Sequence, residues 1–326
     1  MSELKQKIMS SVSHDLDSIE AALKQNLNPH LNLVATVAGH ILFSGGKRLR
    51  PLLMVLSARL CGYQGSYDKP FAVIFEYLHA ATLLHDDLVD DAALRRGKPA
   101  AHTVWDNPTA VLVGDFLLAR SLVLAAETGL PELIKVIAGI TEDMSQGEIQ
   151  QLSKKGDPGL TETEYLEIIH RKTAVLFQGA CLAGALLAGA DKISANALAQ
   201  YGLNLGMAFQ MADDLLDYTI DTSAIGKNVG ADLKEGKLTL PVIFAIRSAD
   251  SFDKQKMLKI IKDQNFNFVD FCSLIDLLNK YGGIDYTKQC AARYIKQAKK
   301  ALMFFKPGKI IDIFLDIADY SLVRKL

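Results

Sequence analysis

A chain of 326 residues with 49% hydrophobic side chains can bury a large core, and a formal net charge of −1 excludes the strong positive field on which nucleic-acid binding rests. The opening Met1-Ser2-Glu3-Leu4-Lys5 lacks the basic-then-apolar pattern of an export signal, and no run of about 18 uninterrupted apolar residues stands ready to span a bilayer, so a cytoplasmic protein is expected. Cys61, Cys181, Cys272 and Cys290 are scattered, with no CxxC and no histidine at zinc spacing, which points to reduced core residues and away from zinc.

Apolar residues recur at i, i+3 and i+4 over 12–27, 31–43, 51–61 and 70–90, then 108–127, 131–152, 162–189 and 194–218, and finally 239–248, 254–263, 270–280, 284–304 and 309–323. No segment sustains the alternation of a strand, so the expectation is an all-α chain. Glycine and proline breakers fall between the segments, and Thr161-Glu162-Thr163-Glu164 is a capping-box pattern that opens a helix. With no Pro/Ser-rich linker and no low-complexity run at which to cut, 1–326 reads as a single domain.

The first chemistry-bearing segment is Gly45-Gly46-Lys47-Arg48-Leu49-Arg50-Pro51, three cations in four positions between a glycine turn and a helix start. Guanidinium and ammonium groups in that setting suit a phosphate. Next comes Asp86-Asp87-Leu88-Val89-Asp90, repeated far downstream as Asp213-Asp214-Leu215-Leu216-Asp217. On a helix Asp86 and Asp90 share a face, as do Asp213 and Asp217. Such paired carboxylates repel unless a cation joins them, and too few oxygens for a closed cage suit Mg²⁺, which keeps waters and takes substrate phosphate oxygens. Their neighbours, Ala80 to Leu84 and Met207 to Phe209, are apolar, which disfavours a merely solvated acidic face.

His79 lies two turns before Asp86 on the same face, and Arg95-Arg96-Gly97-Lys98-Pro99 follows, so cations sit beside the carboxylates. Gly179 to Gly189 is rich in small residues, suited either to close helix packing or to leaving room for a ligand. Lys172-Thr173, Gln210 one turn before the second cluster, and Lys227 and Lys237 in a glycine-punctuated loop add donors and charge, and that loop is long enough to cover a substrate.

The ordered set GGKRLRP, HAATLLHDDLVDDAALRRGKP, VLVGDFLLA, Lys172-Thr173, GMAFQMADDLLD and GKNVGADLKEGKLTLP resembles the trans-isoprenyl diphosphate synthases, or polyprenyl synthetases, over about residues 40–245. Its flavour is that of the bacterial long-chain enzymes that make quinone side chains. The resemblance implies a single-domain isoprenoid-synthase helical bundle around a central active-site cavity. It implies Mg²⁺, three ions with bound diphosphate, held by Asp86, Asp90 and Asp213, with Asp87, Asp214 and Asp217 supporting or acting through water. By the same resemblance Lys47, Arg50, His79 and Arg96 hold isopentenyl diphosphate, and Arg95, Lys172, Lys227 and Lys237 clasp the allylic diphosphate. The main-chain carbonyl of Lys172 and the side chains of Thr173 and Gln210 face the cationic carbons. A homodimer is the family precedent, with the product delivered to a membrane.

In the implied reaction the metal ions and cations turn diphosphate into a leaving group, an allyl cation forms, the double bond of isopentenyl diphosphate attacks it, and a proton leaves to the departed diphosphate. In this family the residue five before the first aspartate commonly limits product length. Here it is Ala81, and Ile74, Leu78 and Ala81 form a stripe with no aromatic ring, lengthening the tunnel by roughly 10 Å or about two isoprene units. Octaprenyl is the expected product, with Phe75, Tyr77 and Phe116 as the rings able to shorten it to geranylgeranyl or hexaprenyl length. A class I terpene cyclase would have no use for GGKRLRP or a second DDxxD, and a non-catalytic synthase subunit typically loses one of the clusters.

Overall fold

The computed structural model describes residues 3–218, 230–263 and 266–323. Within them the chain is almost wholly helical, in agreement with the apolar periodicity. It divides into two compact units: Met1–Thr141 with Leu176–Ala199 and Phe304–Phe314, and Glu142–Val175 with Gln200–Met303 and Leu315–Leu326.

The first unit begins with α1 (Glu3–Leu27), α2 (Asn32–Leu42), α3 (Leu49–Leu60), α4 (Asp68–Ala72) and α5 (Ile74–Val89). Helix α1 starts well before the expected 12, because Ile8 continues the buried stripe of Val12, Ile19 and Leu23 through an otherwise polar turn. The expected helix 70–90 is broken at Val73 into α4 and α5. Helix α5 is the centre of the unit: Ile74, Phe75, Tyr77, Leu78, Ala80 and Ala81 are all buried, so its N-terminal half is packed nearly all round, with Glu76 as its buried charged residue. It packs most extensively on α7 (Asn107–Ala126), which follows the strands β1 (Leu94–Arg95) and β2 (Lys98–Pro99) and the short α6 (Ala101–Val104).

By length and composition alone, α7 is apolar enough to cross a bilayer. Asp115 and Arg120 interrupt its apolar run. Here the inner face of α7, Val113, Gly114, Leu117, Ser121 and Leu124, is buried, and Arg120 Nε donates to the Asn26 carbonyl at 2.6 Å.

The unit also holds the N-terminal part of α8 (Pro131–Ser153) and helix α10 (Val175–Leu187), which follows α9 (Glu162–Ile169) and a π-helical turn, His170–Ala174. The small residues of α10 serve packing: a Cβ on Gly184 would lie 2.3 Å from the Met54 carbonyl oxygen of α3, and one on Gly179 would lie 2.2 Å from Ile140 Cδ1. The four cysteines are free thiols, with Cys181 and Cys290 buried and Cys61 and Cys272 half-buried.

The second unit contains α9, the C-terminal part of α11 (Lys192–Leu216), α12 (Ala231–Lys234), α13 (Leu240–Ser248), α14 (Ser251–Lys262), α15 (Phe268–Lys280), α16 (Gly283–Ala301) and the end of α17 (Lys309–Val323). Helix α13 is its hub, burying Leu240, Val242, Ile243, Ala245 and Ile246 against α9, α14, α15 and α16, and the Phe244 ring stacks on Tyr286 at 4.0 Å. The capping box read from the sequence opens α9, with Thr161 accepting from the Glu164 amide and Glu164 answering at the Thr161 amide. Helix 162–189 is thus three pieces, α9, a π turn and α10, and the π turn carries Lys172 and Thr173.

Candidate active site

In the first unit, both ends of the first aspartate cluster are set by how α5 stops. Asp90 is its C-cap, and Asp91 takes a left-handed φ of 51° so that the amides of Ala92 and Asp91 return to the carbonyls of Asp87 and Leu88. The cluster therefore occupies the last turn of a helix, where carbonyl ends already carry partial negative charge and carboxylates are least welcome. Asp87 is buried, and its Oδ1 accepts from Nε and Nη2 of Arg95, both at 2.5 Å, while its Oδ2 is buried with no hydrogen-bond partner. Burial raises its pKa against the pull of Arg95.

Arg95 and Arg96 are presented by a two-residue hairpin that the sequence reading did not foresee. Leu94 pairs with Pro99 and Arg95 with Lys98, and Arg96 and Gly97 have φ of 52° and 76°, the two positive values of a type I′ turn. Gly97 enters that conformation freely, whereas Arg96 is strained there. Its guanidinium donates to the Gly45 carbonyl, which joins RRGKP to GGKRLRP.

GGKRLRP itself divides its three cations. Arg48, in left-handed conformation before α3, is buried: Nε donates to Glu20 at 2.5 Å, Nη1 to Glu76 at 2.6 Å and Nη2 to the Leu42 carbonyl at 2.6 Å. Arg48, which was not among the expected diphosphate-binding residues, is consumed in holding the loop. Lys47 is exposed, and Arg50 lies with its guanidinium 4.6 Å from the centre of the Phe177 ring. His79 is partly exposed on α5, and loss of hydration together with Arg50, Arg96, Arg95 and Arg48 holds its pKa well below the ordinary imidazole value. Loss of hydration and these arginine charges both favour the neutral imidazole.

In the second unit, the second cluster also falls at the C-terminal end of its helix, α11. Asp213 is exposed and Asp214 is buried, with Oδ2 accepting from the Tyr165 hydroxyl at 2.6 Å and Oδ1 from Gln210 Nε2 at 2.8 Å. Gln210 Oε1 in turn accepts from the Thr173 hydroxyl at 2.7 Å. Burial raises the pKa of Asp214 against both hydrogen bonds. Both oxygens of Asp217 accept backbone amides, Ala231 at 2.9 Å and Asp232 at 3.1 Å, so this carboxylate fastens the N-terminus of α12 to the end of α11. Asp232, half-buried, has its pKa raised by loss of hydration first and by the charges of Asp214 and Asp217 next.

The Lys172 ammonium is paired with Glu148 and donates to Gln151 Oε1 at 2.7 Å. Lys237 pairs with Glu235 at 2.7 Å, and Lys227 lies outside the described residues. The π turn gives Val175 N–H the His170 carbonyl as partner, a widened ring around Lys172 of a kind found at functional sites.

Sequence reasoning missed Arg48 as an anchor, Tyr165, Glu148 with Gln151, and Asp232. Tyr165 and Glu148 act at sequence separations of 49 and about 24 residues, where helical periodicity carries no signal. A divalent cation suits the donor set. Carboxylates lie in the last turn of α5 and, in the other unit, in that of α11, and Asp87 keeps a buried oxygen with no partner. Among the described residues no three acidic, histidine or cysteine side chains converge into a protein-only cage, which leaves the rest of such an ion's shell to water and phosphate oxygens.

Residues 32–274 match the Polyprenyl synthetase family. The chain is 36% identical over 319 residues to octaprenyl diphosphate synthase of Escherichia coli, covering 98% of each. It is 37% identical to the geranyl-diphosphate-specific all-trans-nonaprenyl-diphosphate synthase of Rhodobacter capsulatus, covering 92% of each. Among solved structures it resembles a Caulobacter crescentus polyprenyl synthase complexed with calcium and isoprenyl diphosphate, with a TM-score of 0.91, 38% identity and 98% of each chain covered. Members of this family are generally Mg²⁺-dependent. With both aspartate clusters, the paired-cation loop and the hairpin arginines in place, the chain belongs to the polyprenyl synthetase family of prenyltransferases.

Proposed function

We propose that this chain repeatedly condenses isopentenyl diphosphate with an allylic diphosphate such as farnesyl diphosphate, giving a long all-trans polyprenyl diphosphate, octaprenyl in length, for a quinone side chain. The observation that carries the reading is that each DDxxD ends a helix, so that carboxylate and carbonyl charge accumulate where a divalent cation bridging to diphosphate relieves both. Asp86, Asp90 and Asp213 are the proposed ligands, with Asp87, Asp214 and Asp217 behind them. Mg²⁺, when bound, supplies the charge that makes diphosphate a leaving group. Lys47, Arg50, His79 and Arg96 bind isopentenyl diphosphate, a role supported by the neutral imidazole among guanidiniums. Arg95, Lys172, Lys227 and Lys237 bind the allylic diphosphate, with Lys172 released from Glu148 to do so. Thr173 and Gln210 present acceptor oxygens to the allyl cation.

For chain length, Ile74, Leu78 and Ala81 are buried and none is aromatic. Two of the rings able to shorten the product are engaged elsewhere: the Tyr77 hydroxyl donates to the Leu23 carbonyl at 2.7 Å, and Phe75 meets Phe71 edge-on at 6.2 Å. We read residues 1–326 as one polyprenyl synthetase domain acting in the cytoplasm as a homodimer, a state supported by Val111, Leu112, Leu122 and Val123 left exposed on α7.

The test is product sizing. Pure protein with Mg²⁺, radiolabelled isopentenyl diphosphate and farnesyl diphosphate should yield octaprenyl-length alcohols after dephosphorylation. Ala81→Tyr should keep the first condensation and stop at farnesyl to geranylgeranyl length. An active Ala81→Tyr enzyme that still makes the long product would show that this stripe does not line the tunnel.

A further inference from the structure

We infer that Tyr165 is a positioning residue for the condensation, acting through Asp214 on Gln210 and Thr173. The inference rests on the functional reading above and names a residue that reading does not use. Tyr165 sits in the first turn of α9, directly after the Thr161–Glu164 capping box that fixes where the helix starts, and its ring is buried. From there its hydroxyl reaches Asp214 on α11 at 2.6 Å.

The four groups form a chain in which every proton has one place. An ionised carboxylate only accepts, so Asp214 accepts the tyrosine O–H hydrogen bond on Oδ2 and must meet the amide nitrogen of Gln210 on Oδ1. That orients the Gln210 amide: its oxygen faces the other way and accepts the Thr173 hydroxyl at 2.7 Å. The Thr173 proton is therefore spent inward, and the threonine oxygen is left with its lone pairs free for the developing positive carbon. If the amide turned over, its nitrogen would face Thr173, the hydroxyl would rotate, and a proton would point where the cation forms. Asp214 prevents that reversal only while its own carboxylate is held, and the fixed phenol of Tyr165 holds it from the side opposite Gln210. All four residues belong to one compact unit of the fold.

The experiment is a double-variant cycle on the full-length enzyme, read as kcat, as KM for each substrate and as melting temperature. Tyr165→Phe removes one oxygen and should lower kcat about tenfold, the cost of one lost hydrogen bond to a charged group, with both KM values within twofold. In a Gln210→Ala background the same change should alter kcat by less than twofold, because the group it positions is gone. A Tyr165→Phe enzyme with unchanged kcat overturns the inference. So does a drop in the Gln210→Ala background as large as in the unmodified one, which would mark the tyrosine as a general packing residue. A Tyr165→Phe chain that fails to fold also overturns it, since the hydroxyl would then serve folding. Turnover of the unmodified protein is measured alongside: its absence would sink the functional reading, whereas normal turnover with an insensitive Tyr165→Phe sinks only this proposal.

Discussion

Asp87 and Asp214 occupy the same place in two copies of one motif, and both are buried. Their surroundings nevertheless differ. Asp87 is neutralised by a guanidinium, Arg95, in a neighbourhood that also holds Arg96, Arg50 and His79. Asp214 is held by neutral donors, the Tyr165 hydroxyl and the Gln210 amide, and its nearest ionic influences are the carboxylates Asp213 and Asp217. A repeated DDxxD thus specifies a carboxylate pair at a helix end, while its neighbours decide whether that end is organised around charge or around oriented dipoles. A charged neighbourhood suits gripping a diphosphate, and a dipolar one suits facing a carbocation.

The largest expected effect tests what the two clusters share. Asp86→Ala and Asp213→Ala should each lower kcat by at least ~10³-fold, on the order of 4 kcal/mol of transition-state stabilisation. Excess EDTA should abolish turnover. A tenfold loss at one cluster beside a thousandfold loss at the other would break their equivalence as metal ligands.

Stability sharpens the contrast between charge and dipole. Arg48→Met leaves the buried Glu76 without its partner and should cost about 3 kcal/mol in chemical denaturation, whereas Tyr165→Phe should cost about 2 kcal/mol or less. The more exposed Glu20, whose side chain is 38% accessible, contributes little to that difference. Equal losses would mean that the arginine anchor is no more than another hydrogen bond.

At the charged end, Arg50→Ala should raise KM for isopentenyl diphosphate roughly 10- to 100-fold while the allylic KM moves much less. A uniform rise in both would dissolve the distinction between the two diphosphate sites.

The smallest effect is a titration. In the free protein the His79 imidazole should titrate well below its ordinary value, because loss of hydration and the arginine charges disfavour its charged form. Unfolding restores the ordinary value, so the stability this neutral ring contributes is present at higher pH and is lost as pH falls through the unfolded value towards the depressed one. Isopentenyl diphosphate should screen the arginines and move the pKa upward, followed by NMR of the ring protons. A ring titrating normally in the free protein would remove His79 from the anion site.

The amino-acid sequence by itself determined the helical class, because apolar spacing at i, i+3 and i+4 is a local property, and it determined the family, because GGKRLRP, DDLVD and DDLLD are short contiguous strings of defined chemistry. The capping box at Thr161 was legible for the same reason. Only the tertiary structure decided which charges are tied up inside the protein. Arg48 and Arg50 are two residues apart in one motif, yet the first is turned into the core by a left-handed backbone and the carboxylates of Glu20 and Glu76, while the second lies over Phe177. The hairpin that aims Arg95 and Arg96, the π turn beneath Lys172 and the link from Tyr165 to Asp214 were likewise decided there. Each depends on partners that only folding brings together, and a side chain's charge says what it can bind but not which partner will reach it first.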